Sequence, residues 1–191
     1  PAIMRQPVFL TALAVSSVGF SSMLLVMTAT PLAMQMCGQP INAAATVIQW
    51  HVLGMFAPSF FTGNLIRRFG VLNIMGIGAI LLAVHVAIAL SGIEFLYFLS
   101  GLIFLGVGWN FMFVGGTTLL TEAYRPSERA KVQAAHDFLM YVSISIATFS
   151  SGSLLNAFGW QAVNLVVLPF LAFALVMIVA LGMQRKRAAA R

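Results

Sequence analysis

The stretch Phe60-Phe61-Thr62-Gly63-Asn64-Leu65-Ile66-Arg67-Arg68-Phe69-Gly70 recurs further along as Phe149-Ser150-Ser151-Gly152-Ser153-Leu154-Leu155-Asn156-Ala157-Phe158-Gly159. Phe, Gly, Leu, Phe and Gly match at equal spacing. Each copy closes a long apolar run, and the second copy lies three such runs after the first. Three is odd, so runs that cross a membrane would leave one copy on each side. That is the pattern of a 3+3 inverted-topology repeat. The plain alternative is coincidence between residues that are frequent at the ends of apolar helices.

The surrounding sequence makes membrane crossing the natural reading. Of 191 residues, 61% are apolar and 7% are charged, and mean hydropathy is +1.00. A soluble domain carries roughly 25% charged residues. A helix needs roughly 20 apolar residues to cross the hydrocarbon core, and six runs qualify: Val8–Met34, Ile41–Ile66, Leu72–Leu90, Phe95–Leu120, Val132–Leu155 and Ala162–Met183. They lack the alternation of barrel strands, and an open sheet would leave backbone groups unpaired in lipid. The fold class is therefore all-α integral membrane, with six transmembrane helices. Breakers at Gly38, Pro40, Gly70, Gly92, Pro126 and Gly159 mark the connections.

Charge sets the orientation. The basic residues are Arg5, Arg67, Arg68, Arg125, Arg129, Lys131, Arg185, Lys186, Arg187 and Arg191, and all fall at one side of the six-run arrangement. The segments Gln35–Pro40, Ser91–Glu94 and Asn156–Gln161 contain no Lys or Arg. Cytoplasmic loops collect Lys and Arg, so both termini are expected in the cytoplasm. The net charge of +6 is thus a topology signal, and no nucleic-acid partner is expected. The tail Arg185–Arg191 could meet anionic lipid, though a topological anchor is the plainer reading. Cys37 is the single cysteine and can form no intrachain disulfide. No cleavable signal peptide is evident, and an opening at Pro1 suggests a processed or excised piece.

Two further motifs join the repeat, namely Glu122 with Arg129 six residues beyond its neighbour, and Gly106-Val107-Gly108-Trp109-Asn110-Phe111 with Gln133-Ala134-Ala135-His136-Asp137-Phe138. With Gly63-Asn64-Leu65-Ile66-Arg67-Arg68-Phe69-Gly70, nearly the whole chain resembles one six-helix half of a major facilitator superfamily transporter, more like the C-terminal half. The loop motif is degenerate, because the family's Gly-x-x-x-Asp-Arg-x-Gly-Arg-Arg has an Asp that Leu65–Phe69 lacks. The resemblance implies a single half-bundle domain over residues 1–191 and a second six-helix half as partner. It also implies secondary transport of a small organic solute by alternating access, in the plasma (inner) membrane of a bacterium. A non-transporting membrane subunit is the alternative. No enzyme activity and no cofactor are expected: there is no nucleotide-binding Gly-x4-Gly-Lys-Ser/Thr motif, and His51, His85 and His136 show no metal-ligand spacing.

Polar residues inside spans are costly and face partner helices or cavities. Asn110 and Trp109, in the fourth span, are expected to contact the solute, one by its amide and one by stacking; an interhelical hydrogen bond and packing are their respective alternatives. Gln49 shares a stripe with Thr46 and is the lining candidate of the second span. Asp137, Tyr141, Ser145, Thr148 and Gly152 share one face of the fifth, either a cavity wall or a helix seam. Asp137 is a possible proton site, with a structural carboxylate near a helix N-terminus the stronger reading. His51 and His85 read as structural. At the basic rim, Glu122 is the expected acceptor for Arg67 or Arg68, with Arg129 a second donor, in a charge network that latches one conformation. A solvated loop that only sets topology is the alternative. Pro31 and Pro58 are expected to kink the first and second spans.

Overall fold

A computed structural model describes residues 3–190; Pro1, Ala2 and Arg191, the last residue of the basic tail, lie outside it. Seven α-helices follow in order: α1 Pro7–Met36, α2 Ile41–Phe56, α3 Ser59–Phe69, α4 Val71–Ser91, α5 Phe95–Leu120, α6 Arg129–Leu165 and α7 Val167–Ala189. Short 3₁₀ turns cover Ile3–Arg5, Thr121–Ala123 and Pro126–Glu128. No strand occurs among the described residues. Four segments are long and apolar enough to cross a membrane: Pro7–Met36, Val71–Ser91, Phe95–Ala123 and Pro126–Ala189.

The breaks have local causes. Pro58 carries no N–H, and the chain leaves helical pairing between α2 and α3 there. Pro31 has less effect, since α1 runs through it to Met36. Gly70 separates α3 from α4 at φ 86°, and Gly159 interrupts α6 at φ 79°, ψ 178°. A side chain would be strained in both, so glycine alone fits freely. The expected loop Asn156–Gln161 is thus a sharp bend at Gly159. The helix beyond it stops again at Val166, where Pro169 cannot donate to Leu165.

The core gathers around α5, which packs on α1, α2 and α4. Small residues let the backbones approach. A Cβ on Gly106 would stand 2.6 Å from the His51 carbonyl oxygen and 2.9 Å from the Met55 amide. Gly78 and Gly108 meet reciprocally, each presenting its carbonyl oxygen within 2.9 Å of where the other's Cβ would lie. Without a hydrophobic drive between helices in lipid, such contacts and interhelical hydrogen bonds supply the cohesion. His51 Nδ1 donates to the Leu102 carbonyl at 2.7 Å. His85 Nδ1 donates to Gly101 at 2.8 Å, and its Nε2 lies 3.0 Å from the Asn164 amide. Both rings are fully buried and tie α5 to α2 and to α4, as structural histidines do. The outward faces of α4 and α7 remain apolar, with Ile77, Ile80, Phe170, Phe173, Val176 and Val179 exposed.

Candidate functional site

Four helices bring an aromatic cluster together. Trp109 of α5 stacks on Phe113, one turn on, with centroids 5.2 Å apart and planes 7° from parallel. Phe20 of α1 meets both rings edge-on, at 5.2 and 5.3 Å. Phe56, the last residue of α2, approaches Trp109 at 6.2 Å, and Tyr141 of α6 approaches Phe20 at 6.5 Å. Trp109 is only 5% exposed, whereas Phe56 and Tyr141 are 57% and 56% exposed, so the cluster runs from core to open surface. The indole Nε1–H of Trp109 is buried without a hydrogen-bond partner among the described residues. An indole N–H normally finds an acceptor when buried.

The expected lining residues divide around this cluster. Gln49 is exposed on α2, two turns before Phe56. Ser145 is exposed on α6 and returns its hydroxyl proton to the Tyr141 carbonyl at 2.8 Å. With Asp137, Tyr141 and Ser145 exposed, and no atom within 4 Å of a Cβ on Gly152, the polar face of α6 is no seam between described helices. The seam of α6 with α1 lies elsewhere: Ser21 Oγ donates to Ser143 Oγ at 3.2 Å, and Ser151 Oγ to the Leu25 carbonyl at 2.7 Å.

Asn110 is buried and its amide is fully engaged inside the protein. Nδ2 donates to the Met55 carbonyl at 2.8 Å and to Ser59 Oγ at 2.7 Å, and Oδ1 accepts from Thr62 Oγ1 at 2.7 Å. All three partners flank Pro58. The Met55 carbonyl receives no bond from the Ser59 amide at the break, so Asn110 supplies the missing donor. This geometry is that of the interhelical hydrogen bond, not of an amide left free for a solute.

Asp137 is 54% exposed and lies 3.0 Å from Nδ1 of His136. The His136 ring is buried, edge-on to Phe9 at 6.4 Å, with Nε2 unpartnered among the described residues.

At the basic rim the expected pairing is corrected. Glu122 pairs with Arg185 of α7 at 2.5 Å, not with Arg67 or Arg68. Arg67 turns back to Asn64 within its own helix, and the Arg68 guanidinium sits 5.3 Å from the centre of the Phe69 ring. Arg129 reaches Gln133, at 3.4 Å, and not Glu122. The reason is tertiary: α7 packs along α1 and α4 and thereby delivers its last turn to the end of α5. The side chains closing α3 find neighbours one turn away.

Sequence reasoning missed Phe20, Phe56 and Phe113. The spacing of Trp109 and Phe113 was a usable signal, but the other two rings join only through packing. A cavity of about 800 Å³ lies apart from the cluster, between α1, α6 and α7, lined by Ser17 and Ser21 among Leu10, Leu25 and Phe170.

The sequence profile of the Major Facilitator Superfamily matches residues 5–191. The chain belongs to that superfamily. Among relatives, it is 46% identical to the riboflavin transporter RfnT of Brucella anthropi over 188 residues, 98% of this chain and 47% of that protein. It is 38% identical to the uncharacterized MFS-type transporter YddS of Bacillus subtilis over 62% of this chain and 28% of that protein. It is 32% identical to YdeG of the same organism, also an uncharacterized MFS-type transporter, over 75% of this chain and 34% of that protein. The chain thus spans about half the length of the riboflavin transporter. This major facilitator chain is an all-helical, multi-pass membrane protein, and its family and relatives class it with transporters rather than enzymes.

Proposed function

We propose that the chain is one six-helix half of a secondary carrier that moves a small, flat, heteroaromatic solute by alternating access. The observation that carries this reading is the aromatic cluster, drawn from four helices, buried at Trp109 and open at Phe56 and Tyr141. An open aromatic face at Phe56 and Tyr141, backed by the buried Trp109, is suited to stack a planar ring. The riboflavin transporter relative supplies the solute class to test. A face open on one side is what a half-site would present to a second half, and a relative about twice as long makes room for that half.

Six crossings follow from treating α2 with α3 as one bent span and dividing the segment after Pro126 at Gly159. The 3+3 repeat is supported by matching conformation as well as matching letters. Gly70 and Gly159 both hold positive φ. Phe60 and Phe149 are exposed to 92% and 86%, and a Cβ on Gly63 or Gly152 would meet nothing within 4 Å. The basic rim is assigned to the cytoplasmic side of a bacterial plasma membrane. Within this reading Trp109, Tyr141, Gln49 and Ser145 face the solute, Asn110 holds the α2–α3 break, and Asp137 beside His136 is the candidate proton site. Glu122 with Arg185 is the rim latch, with Arg67, Arg68 and Arg129 as its basic surroundings.

Flavin uptake into proteoliposomes holding the native-length protein tests the proposal. Stacking on one aromatic ring is worth about 1–3 kcal/mol, so Trp109→Ala is expected to weaken flavin binding about tenfold or more. Trp109→Phe should retain stacking and lose only the N–H. Folded protein that neither binds nor moves any flat heteroaromatic solute would refute it.

A further inference from the structure

We propose that the cleft between α4 and the end of α7 seats the headgroup of an anionic phospholipid. The cleft encloses about 470 Å³. Leu72 of α4 with Ile178 and Val179 of α7 give it apolar walls, Asn73 adds one polar side chain, and Arg185 and Lys186 line it as well. It opens on the outward side of the bundle, where α4 and α7 present exposed Ile77, Ile80, Val176 and Val179. A glycine keeps it hollow: the nearest atom to a Cβ on Gly182 is Leu72 Cδ1, at 3.7 Å.

Charge selects the occupant. The chain has four side-chain carboxylates, and among the described residues none pairs with Lys186. Glu122 is taken by Arg185. Glu128 accepts from the Arg125 amide at 3.2 Å, Asp137 lies beside His136, and Glu94 follows the far end of α4. Arg67, Arg68 and Arg187 sit at the same end of the bundle and add to the positive field. An ammonium with no carboxylate partner among the described residues, beside an apolar slot, matches a phosphodiester carried on acyl chains. Basic pockets between helices on the cytoplasmic side take such headgroups, and lysine is a good point-charge partner for phosphate.

The test is native mass spectrometry of the native-length protein released from mixed phosphatidylcholine and phosphatidylglycerol micelles, with thermal melting to verify folding. Wild type should retain phosphatidylglycerol in preference to phosphatidylcholine. Lys186→Gln should lower that retention about fivefold. Gly182→Phe, which fills the slot without touching a charge, should lower it comparably. Lys131→Gln, on the same rim but on α6, should leave it unchanged. Equal losses for Lys186→Gln and Lys131→Gln would mean diffuse attraction and overturn the site. So would full retention in Gly182→Phe, or complete displacement of the lipid by inorganic phosphate, which would indicate a site for the free anion.

Discussion

Replacing Asn110 by alanine removes the side chain that hydrogen-bonds α5 to the interruption at Pro58. Two of its bonds have substitutes. Thr62 Oγ1 also lies 2.8 Å from the Pro58 carbonyl and can turn its single proton there, and the Ser59 hydroxyl is only part-buried and can turn. The Met55 carbonyl has none, because its helical donor is absent at the break. A buried polar group stripped of its partner costs about 1–3 kcal/mol. Interhelical hydrogen bonds in membranes average about 0.6 kcal/mol each. Taking the carbonyl as the dominant loss and adding one weak bond gives about 2–3 kcal/mol for Asn110→Ala. Asn110→Leu keeps most of the volume and should still lose about 2 kcal/mol, which separates the polar term from the cavity. The assay is equilibrium unfolding in mixed micelles, run beside solute affinity on the same preparations. A double-mutant cycle with Thr62→Val should return a coupling near 0.6 kcal/mol. The reasoning fails if both variants unfold within about 0.5 kcal/mol of wild type while affinity drops tenfold; Asn110 would then be reaching the solute.

Two other outcomes are expected. Gly70→Ala and Gly159→Ala should each cost about 1–3 kcal/mol, the penalty for a side chain in an extended conformation at positive φ, and the two losses should agree within about 0.5 kcal/mol; a clear inequality in thermal melts would count against equivalent roles in the two repeats. Glu122→Gln leaves a weak, exposed pair, so stability should change by less than about 1 kcal/mol; single-turnover transport should nevertheless slow while solute affinity holds, and unchanged turnover would remove the latch.

The places where reading and structure part company share a cause. The second span's interruption was legible because a proline has no N–H wherever it lies, and the bends at Gly70 and Gly159 because the letters repeat. The role of Asn110 was not, since a neutral amide in mid-helix serves a solute or a backbone equally well. Its position beside Met55, Ser59 and Thr62 depends on how close α5 comes to α2, and that closeness rests on Gly106 together with Gly54, where a Cβ would stand 3.0 Å from the Ile103 carbonyl oxygen. Glu122 was matched to the arginines nearest in the expected loop pattern, while its partner Arg185 comes from the far end of the chain.

The sequence by itself determined the solvent, the helical class and the basic rim. These follow from hydropathy and charge summed along the chain, which no packing can alter. The tertiary structure alone decided which buried polar groups find a partner and which do not. Trp109 gathers Phe20, Phe56 and Phe113 around an indole N–H that has no partner among the described residues, while Asn110 beside it has every proton committed. Adjacent residues on a helix point about 100° apart, so only the neighbouring helices could give one a free donor and the other none.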